Sequence, residues 1–174
     1  MNSKKENMTL SQAKIRNNKN LKTLGFSHLD TAEIVLKLNI LMADYQVFYN
    51  KLRNFHWNIE GPEFFELHEE FEKDYNTVKR NIDTVAERIR VFGIKPNFTL
   101  EKSLELSKIK ELEKNRSAIE MVREVLKDFE IIHDDILSAL GASLETGDVA
   151  TEQMLTDFIR ELEKRNWMYS SYMK

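Results

Sequence analysis

The chain contains no cysteine. That excludes disulfide bridges and thiolate metal sites and agrees with a reducing compartment. Only 5 glycines and 2 prolines interrupt 174 residues. Places to turn are therefore few, and a handful of long helices is favoured over many strands. No apolar run is long enough to cross a bilayer. The opening stretch, MNSKKENMTLSQAKIRNNKN, is basic but lacks the apolar segment of a secretion signal. A cytoplasmic chain with no membrane partner is the expectation. A general excess of positive charge is missing too: the net charge is -3, so the chain as a whole is no polycation built for nucleic acid.

What is present is ordinary for one globular domain: 41% hydrophobic and 32% charged residues. Residues 1–26 are polar and without period, which predicts a mobile tail, and residues 27–174 carry the fold. Up to Lys22 the tail holds Lys4, Lys5, Lys14, Arg16, Lys19 and Lys22 against the single acid Glu6. Tails of this kind attract phosphate, and many copies in one assembly multiply a weak attraction.

A first helix is expected from HLDTAEI, with Asp30 as cap, Glu33 as its capping-box partner, and Leu29 and Ile34 as a hydrophobic staple. Ile34, Leu38, Leu41, Tyr45, Phe48, Leu52 and Phe55 then recur at steps of three and four, a single apolar stripe. Gly61 and Pro62 end it, with Pro62 suited to open the next helix. The second helix carries Phe64, Phe71, Tyr75, Val78, Ile82, Val85 and Ile89, and stops at Gly93 and Pro96. A short helix near 100–106 lies in the long connection. A third long helix over about 112–144 faces inward through Ile119, Val122, Leu126, Phe129, Ile132, Ile136 and Leu140. A fourth, over about 149–170 with Asp148 as cap, does so through Met154, Leu155, Phe158, Ile159, Leu162 and Trp167. Four amphipathic helices with short outer links and a long middle one predict an all-α, ferritin-like four-helix bundle with a long crossover carrying a short extra helix.

A di-iron site in the middle of such a bundle needs a Glu from each of two helices and Glu-x-x-His from each of the other two. Glu130-Ile-Ile-His133 is the only Glu-x-x-His here, so a central site is not expected, and His133 and His28 read as structural. The stretch RNFHWNIEGPEFFELHEEFEKDY is different. His56 stands about one turn before the Gly-Pro bend and His68 about two turns after it. Asp83 and Glu87, four residues apart, share one face further along the same helix. Two imidazoles and two carboxylates form a mixed nitrogen and oxygen set that suits Fe(II), and also zinc or manganese. His68 and Asp83 are separated along one helix by roughly 22 Å at 1.5 Å per residue, whereas a ligand lies about 2 Å from its metal. If the four act together, the acids come from a second copy across a two-fold axis.

The motifs NFHWNIEGPEFFELHEEFE, IDTVAERI and FGIKP, with TLEKSLELSKIKE and IRELEKRNWM later, resemble the Dps family, the mini-ferritins. The resemblance covers about residues 28–172. It implies a hollow homo-dodecamer with ferroxidase centres at two-fold interfaces, His56 and His68 from one subunit and Asp83 and Glu87 from its neighbour. It implies oxidation of Fe(II), preferentially by hydrogen peroxide, storage of the ferric mineral inside the shell, and protection of DNA from oxidative damage. Trp57 is then a near-site aromatic that intercepts stray oxidising equivalents. Glu72 is a candidate ligand for a second iron, and Glu69 a candidate for mineral nucleation. Asp148 and Glu152 are candidates for an iron-admitting pore. The alternative is a nucleoid-compacting DNA-binding protein acting through the basic tail.

Overall fold

The structure, a computed structural model, describes residues 28–97, 99–112 and 116–174, with side chains from Thr31 onward. The expected tail and its basic residues lie outside them. Among the described residues there are five helices: α1 His28–Asn58, α2 Phe64–Val91, α3 Leu100–Leu106, α4 Ala118–Thr146 and α5 Val149–Tyr172. The order is that of the expected bundle, with α3 in the crossover.

α1 is the central element and packs against α2, α3 and α4, while α4 packs against α5. Its position explains why its apolar surface is wider than one stripe. Beside the predicted residues, Met42, Ala43 and Val47 are buried as well, as expected for a helix covered on several sides. α1 is already helical at His28, two residues before the cap expected at Asp30. The bend that follows uses Gly61 in a positive-φ conformation (φ 108°), which a residue without Cβ adopts freely. Pro62 does not open α2. It lies in the turn, and Glu63 takes the N-cap position without a side-chain hydrogen bond.

α4 begins at Ala118, later than the apolar pattern suggested. The Glu120 carboxylate accepts from both the backbone N–H (2.9 Å) and the hydroxyl (2.8 Å) of Ser117. This capping box fixes the start. The inward face of α4 is rotated from the expected one: Ile119 is exposed, and Met121 and Val125 are buried instead. On α5, Trp167 is 66% exposed and Tyr169 takes the buried position. The α4–α5 turn closes as predicted, with Gly147 at φ 68° and Asp148 accepting from the Thr151 amide (3.2 Å).

The bundle interior is not wholly apolar. Lys51 of α1 and Asp128 of α4 form an ion pair at 2.7 Å with both side chains almost completely hidden. Burial pushes the Asp128 carboxyl up to about 6, against the opposing pull of Lys51. Arg165 of α5 bonds to both Asp74 and Glu70 of α2 at 2.6 Å, and the Tyr169 hydroxyl donates to Asp74 at 2.6 Å. These bonds tie the first and last long helices together.

The crossover is fastened at one buried carboxylate. Asp44 Oδ1 accepts from the Ser107 hydroxyl (2.7 Å) and the amides of Lys108 (2.7 Å) and Ile109 (3.0 Å). Ile109 plugs into the core beside it, and Lys108 reaches over to pair with Asp135 of α4. Buried loop amides need partners, and one aspartate supplies them here.

Candidate metal centre

His56 lies in the last turn of α1 and His68 in the second turn of α2. The Gly-Pro bend folds the two turns against each other, and the rings stack with centroids 3.8 Å apart. The contact is reciprocal. His56 Nδ1–H donates to the His68 carbonyl at 2.8 Å, and His68 Nδ1–H donates to the His56 carbonyl at 2.8 Å. The last carbonyls of a helix have no intrahelical partner, so the His56 oxygen is available. The His68 oxygen has a second lone pair to offer.

A carbonyl only accepts, so each ring carries its proton on Nδ1. In the neutral ring the lone pair is then on Nε2. Two ligand nitrogens are thus set side by side in one tautomer, with the orienting hydrogen bonds that metal-binding histidines use. Phe64 stacks on His68 at 4.9 Å, and Tyr75 meets His56 edge-on at 5.4 Å. His56 is 9% exposed, so the pair is held by packing as well as by bonds.

The remaining predicted residues fall into two groups. Glu72 stays beside the histidines, one turn along α2 from His68, and accepts a hydrogen bond from the Tyr75 hydroxyl at 3.2 Å. Trp57 is 60% exposed, with the Arg53 guanidinium 4.5 Å from its ring centre. Asp83 and Glu87 are exposed on α2. The helix runs without a break from His68 past Glu87, so Asp83 stands roughly 22 Å along the axis from His68 and about 60° around it. Among the described residues of one chain, no group of three or more His, Asp and Glu side chains converges to hold a metal.

Next to Glu87, Arg88 braces the acid end of α2 against α5. Its Nε–H donates to Thr151 Oγ1 at 2.7 Å, and an Nη2–H donates to Asp148 Oδ1 at 2.5 Å. Burial pushes the Asp148 carboxyl up, but Arg88 and Thr151 together outweigh it and hold the carboxyl below the usual range. Asp148 is therefore a buried brace rather than the pore-lining acid anticipated for it. Glu69 is exposed and pairs with Lys73 at 2.9 Å. His133 lies 4.0 Å from Glu163 on the surface of α4 and α5, away from the stacked pair. Sequence reasoning took Tyr75 only as a core residue. Its signal was its spacing: seven residues after His68 and three after Glu72, on the same side of α2.

Comparison with known proteins places this geometry. The Ferritin family, described as a ferritin-like domain, matches residues 35–174. The DNA protection during starvation protein of Brevibacillus brevis is 41% identical over 141 residues, 81% of this chain and 95% of that protein. The chain belongs to the Dps family of ferritin-like proteins. Solved Dps structures agree. Dps from Staphylococcus aureus is 40% identical, with a TM-score of 0.79 over 81% of this chain and 95% of that one. Dps from Vibrio cholerae O1 is 34% identical, with a TM-score of 0.87 over 91% and 99%. The latter is described as a member of a broad superfamily of ferritin-like diiron-carboxylate proteins. In this Dps-family chain the interior is occupied by phenyl rings and the Lys51–Asp128 pair. Its stacked histidines sit at the end of a helical hairpin instead. No described helix is long and apolar enough to cross a membrane.

Proposed function

We propose that the chain is a ferroxidase and iron-storage protein of the Dps type. It oxidises Fe(II), preferentially with hydrogen peroxide, and mineralises the ferric product inside a hollow shell of twelve copies. His56 and His68 bind iron from one subunit. Asp83 and Glu87 bind it from the two-fold partner, and Glu72 serves a second ion. By consuming ferrous iron and peroxide together, the assembly spares DNA from hydroxyl radical in the cytoplasm.

One observation carries this reading: two Nε2 lone pairs are held side by side, while the matching acid pair is out of their reach along an unbroken helix. A two-fold axis relating antiparallel hairpins resolves the mismatch and makes two equal sites per pair of subunits. Few protein ligands per ion leave positions for water and oxidant, which turnover requires. The donor set takes zinc or manganese as substitutes. The names of the relatives fit: one protects DNA during starvation, another belongs among diiron-carboxylate proteins.

The test is anaerobic loading with Fe(II) followed by hydrogen peroxide. Peroxide takes two electrons and each ferrous ion gives one, so about two Fe(II) are consumed per peroxide. Binding of metal without peroxide-driven oxidation would leave a non-redox metal protein in its place.

The six cations of residues 1–22 support a second reading, nucleoid association through the tail. A gel shift with the full chain and with a chain lacking residues 1–22, across a salt series, decides it. Binding that survives the truncation unchanged removes the tail from the account.

A further inference from the structure

The hydroxyl of Tyr75 is turned toward the candidate iron ligands and is not used by them. Its ring meets His56 edge-on at 5.4 Å, and its O–H donates to the Glu72 carboxylate at 3.2 Å. A phenol in van der Waals contact with a ligand, with a carboxylate waiting for its proton, is arranged to give up an electron and a proton together. Tyr49 of α1 follows at 6.0 Å, also edge-on.

Trp57 is nearer the histidines in sequence, but its surroundings differ. The Arg53 guanidinium lies 4.5 Å from the Trp57 ring centre and 5.2 Å from that of Tyr49. A cation over an aromatic face is held by the electrons of that face. Withdrawing an electron from such a ring works against the cation. Tyr75 has an anion at its hydroxyl instead, so the charge around the site favours oxidation there.

From this we infer that Tyr75 is the one-electron donor of the iron site, acting through His56, with Glu72 as its proton acceptor. The inference rests on the ferroxidase reading above and concerns the case that reading leaves open, a site holding a single ferrous ion. Peroxide needs two electrons, and one Fe(II) supplies one; the one-electron product is hydroxyl radical. With Tyr75 the sum closes. One Fe(II), one hydrogen peroxide, one tyrosine hydroxyl and one solvent proton give one Fe(III), two waters and one tyrosyl radical. The O–O bond breaks, iron and phenol are each oxidised by one electron, and the phenolic proton leaves by way of Glu72. Tyr49 extends the path away from the metal.

The assembled protein is loaded anaerobically with fewer ferrous ions than sites, mixed with hydrogen peroxide and frozen for electron paramagnetic resonance. A parallel sample carries a hydroxyl-radical spin trap. The wild type is expected to give an organic radical whose signal narrows when the protein is grown on ring-deuterated tyrosine. Trp57→Phe is expected to keep that signal. Tyr75→Phe, which keeps the ring and loses only the hydroxyl, is expected to lose it and to raise the trapped hydroxyl radical several-fold. A signal indifferent to deuterated tyrosine, or one that persists in Tyr75→Phe with no rise in trapped radical, overturns the assignment. Full loading of the wild type is the separate control. If no iron is oxidised there, the ferroxidase reading itself has failed; if iron is oxidised and the tyrosine signal is missing, only the relay has.

Discussion

His56 and His68 are each oriented by the other's backbone, through two hydrogen bonds of 2.8 Å that run in opposite directions between the same two residues. Neither ring can turn without releasing its partner's neighbourhood. The pair behaves as one preformed unit with its ligand nitrogens already chosen.

That unit separates orientation from ligation by atom. An asparagine places its side-chain amide about where Nδ1 of histidine lies and has nothing at Nε2. His56→Asn is therefore expected to keep the bond to the His68 carbonyl and fold with near wild-type stability, yet bind no Fe(II). His56→Ala loses the clamp too and costs a further 1 kcal/mol or so. Thermal melts and anaerobic iron titration of the two variants distinguish these outcomes. Equal iron binding by His56→Asn and wild type would remove His56 from the ligand set.

Shared sites have a signature in mixtures. His56→Ala and Asp83→Ala are each expected to abolish most iron oxidation while assembling normally. When the two are dissociated, mixed in equal amounts and reassembled, half of the two-fold pairs are mixed. Each mixed pair contains one site with both defects and one with none, so about a quarter of the sites should recover. Stopped-flow oxidation rates measure this directly, and a mixture as inactive as its parents rules out ligands from two chains.

Asp44 is the fastening point of the crossover. Asp44→Ala strips the partners from two buried amides and a hydroxyl, at about 1–3 kcal/mol for each group left unsatisfied. The expected result is a loss of several kcal/mol and faster hydrogen exchange at the amides of Lys108 and Ile109 than elsewhere in the bundle. Uniform exchange across the chain would mean that the crossover is held by something else.

Asp135 gives a pH dependence of known sign. Burial, reinforced by a hydrogen bond with Asp44, pushes its carboxyl from 3.8 up to about 6, against Lys108. The folded form holds the proton more tightly than the unfolded one. Its contribution to stability is therefore fully present below about 4 and is lost as pH rises through about 6. Asp135→Asn resembles the protonated acid. It is expected to flatten the dependence of the melting temperature on pH between 4 and 6, compared at equal subunit concentration. A variant with the same slope as wild type would show that this carboxyl does not titrate in that window.

Much of this molecule is legible in its sequence, for identifiable reasons. α1 and α2 announce themselves by apolar spacing, and Gly61, Gly93 and Gly147 mark the turns because each takes a positive φ. The hydrophobic pattern is a poorer guide to where α4 begins: Leu112 is apolar and in phase, but the capping box of Ser117 and Glu120 sets the start. A pattern of apolar residues also passes over charges that belong inside. Asp74 lies seven residues after Leu67, and Asp128 and Asp135 lie seven and fourteen after Met121. Residues a heptad apart share a face, so these acids were in register with the core all along. What one sequence does not carry is the partner of each: Lys51 for Asp128, Arg165 for Asp74.

The four proposed ligands were legible as a spacing. The reason one chain cannot use them all is the rigidity of α2, a single helix of 28 residues. The structure adds what spacing could not, the mutual bonding of the two histidines and the aromatic company of Tyr75.

That rigid span has a biological corollary. A newly made polypeptide, or one shed from a damaged cage, carries half-sites only and is chemically silent toward ferrous salts. Reactivity switches on at the moment two copies dock, so the hazardous chemistry begins only where a compartment is being built to receive its product.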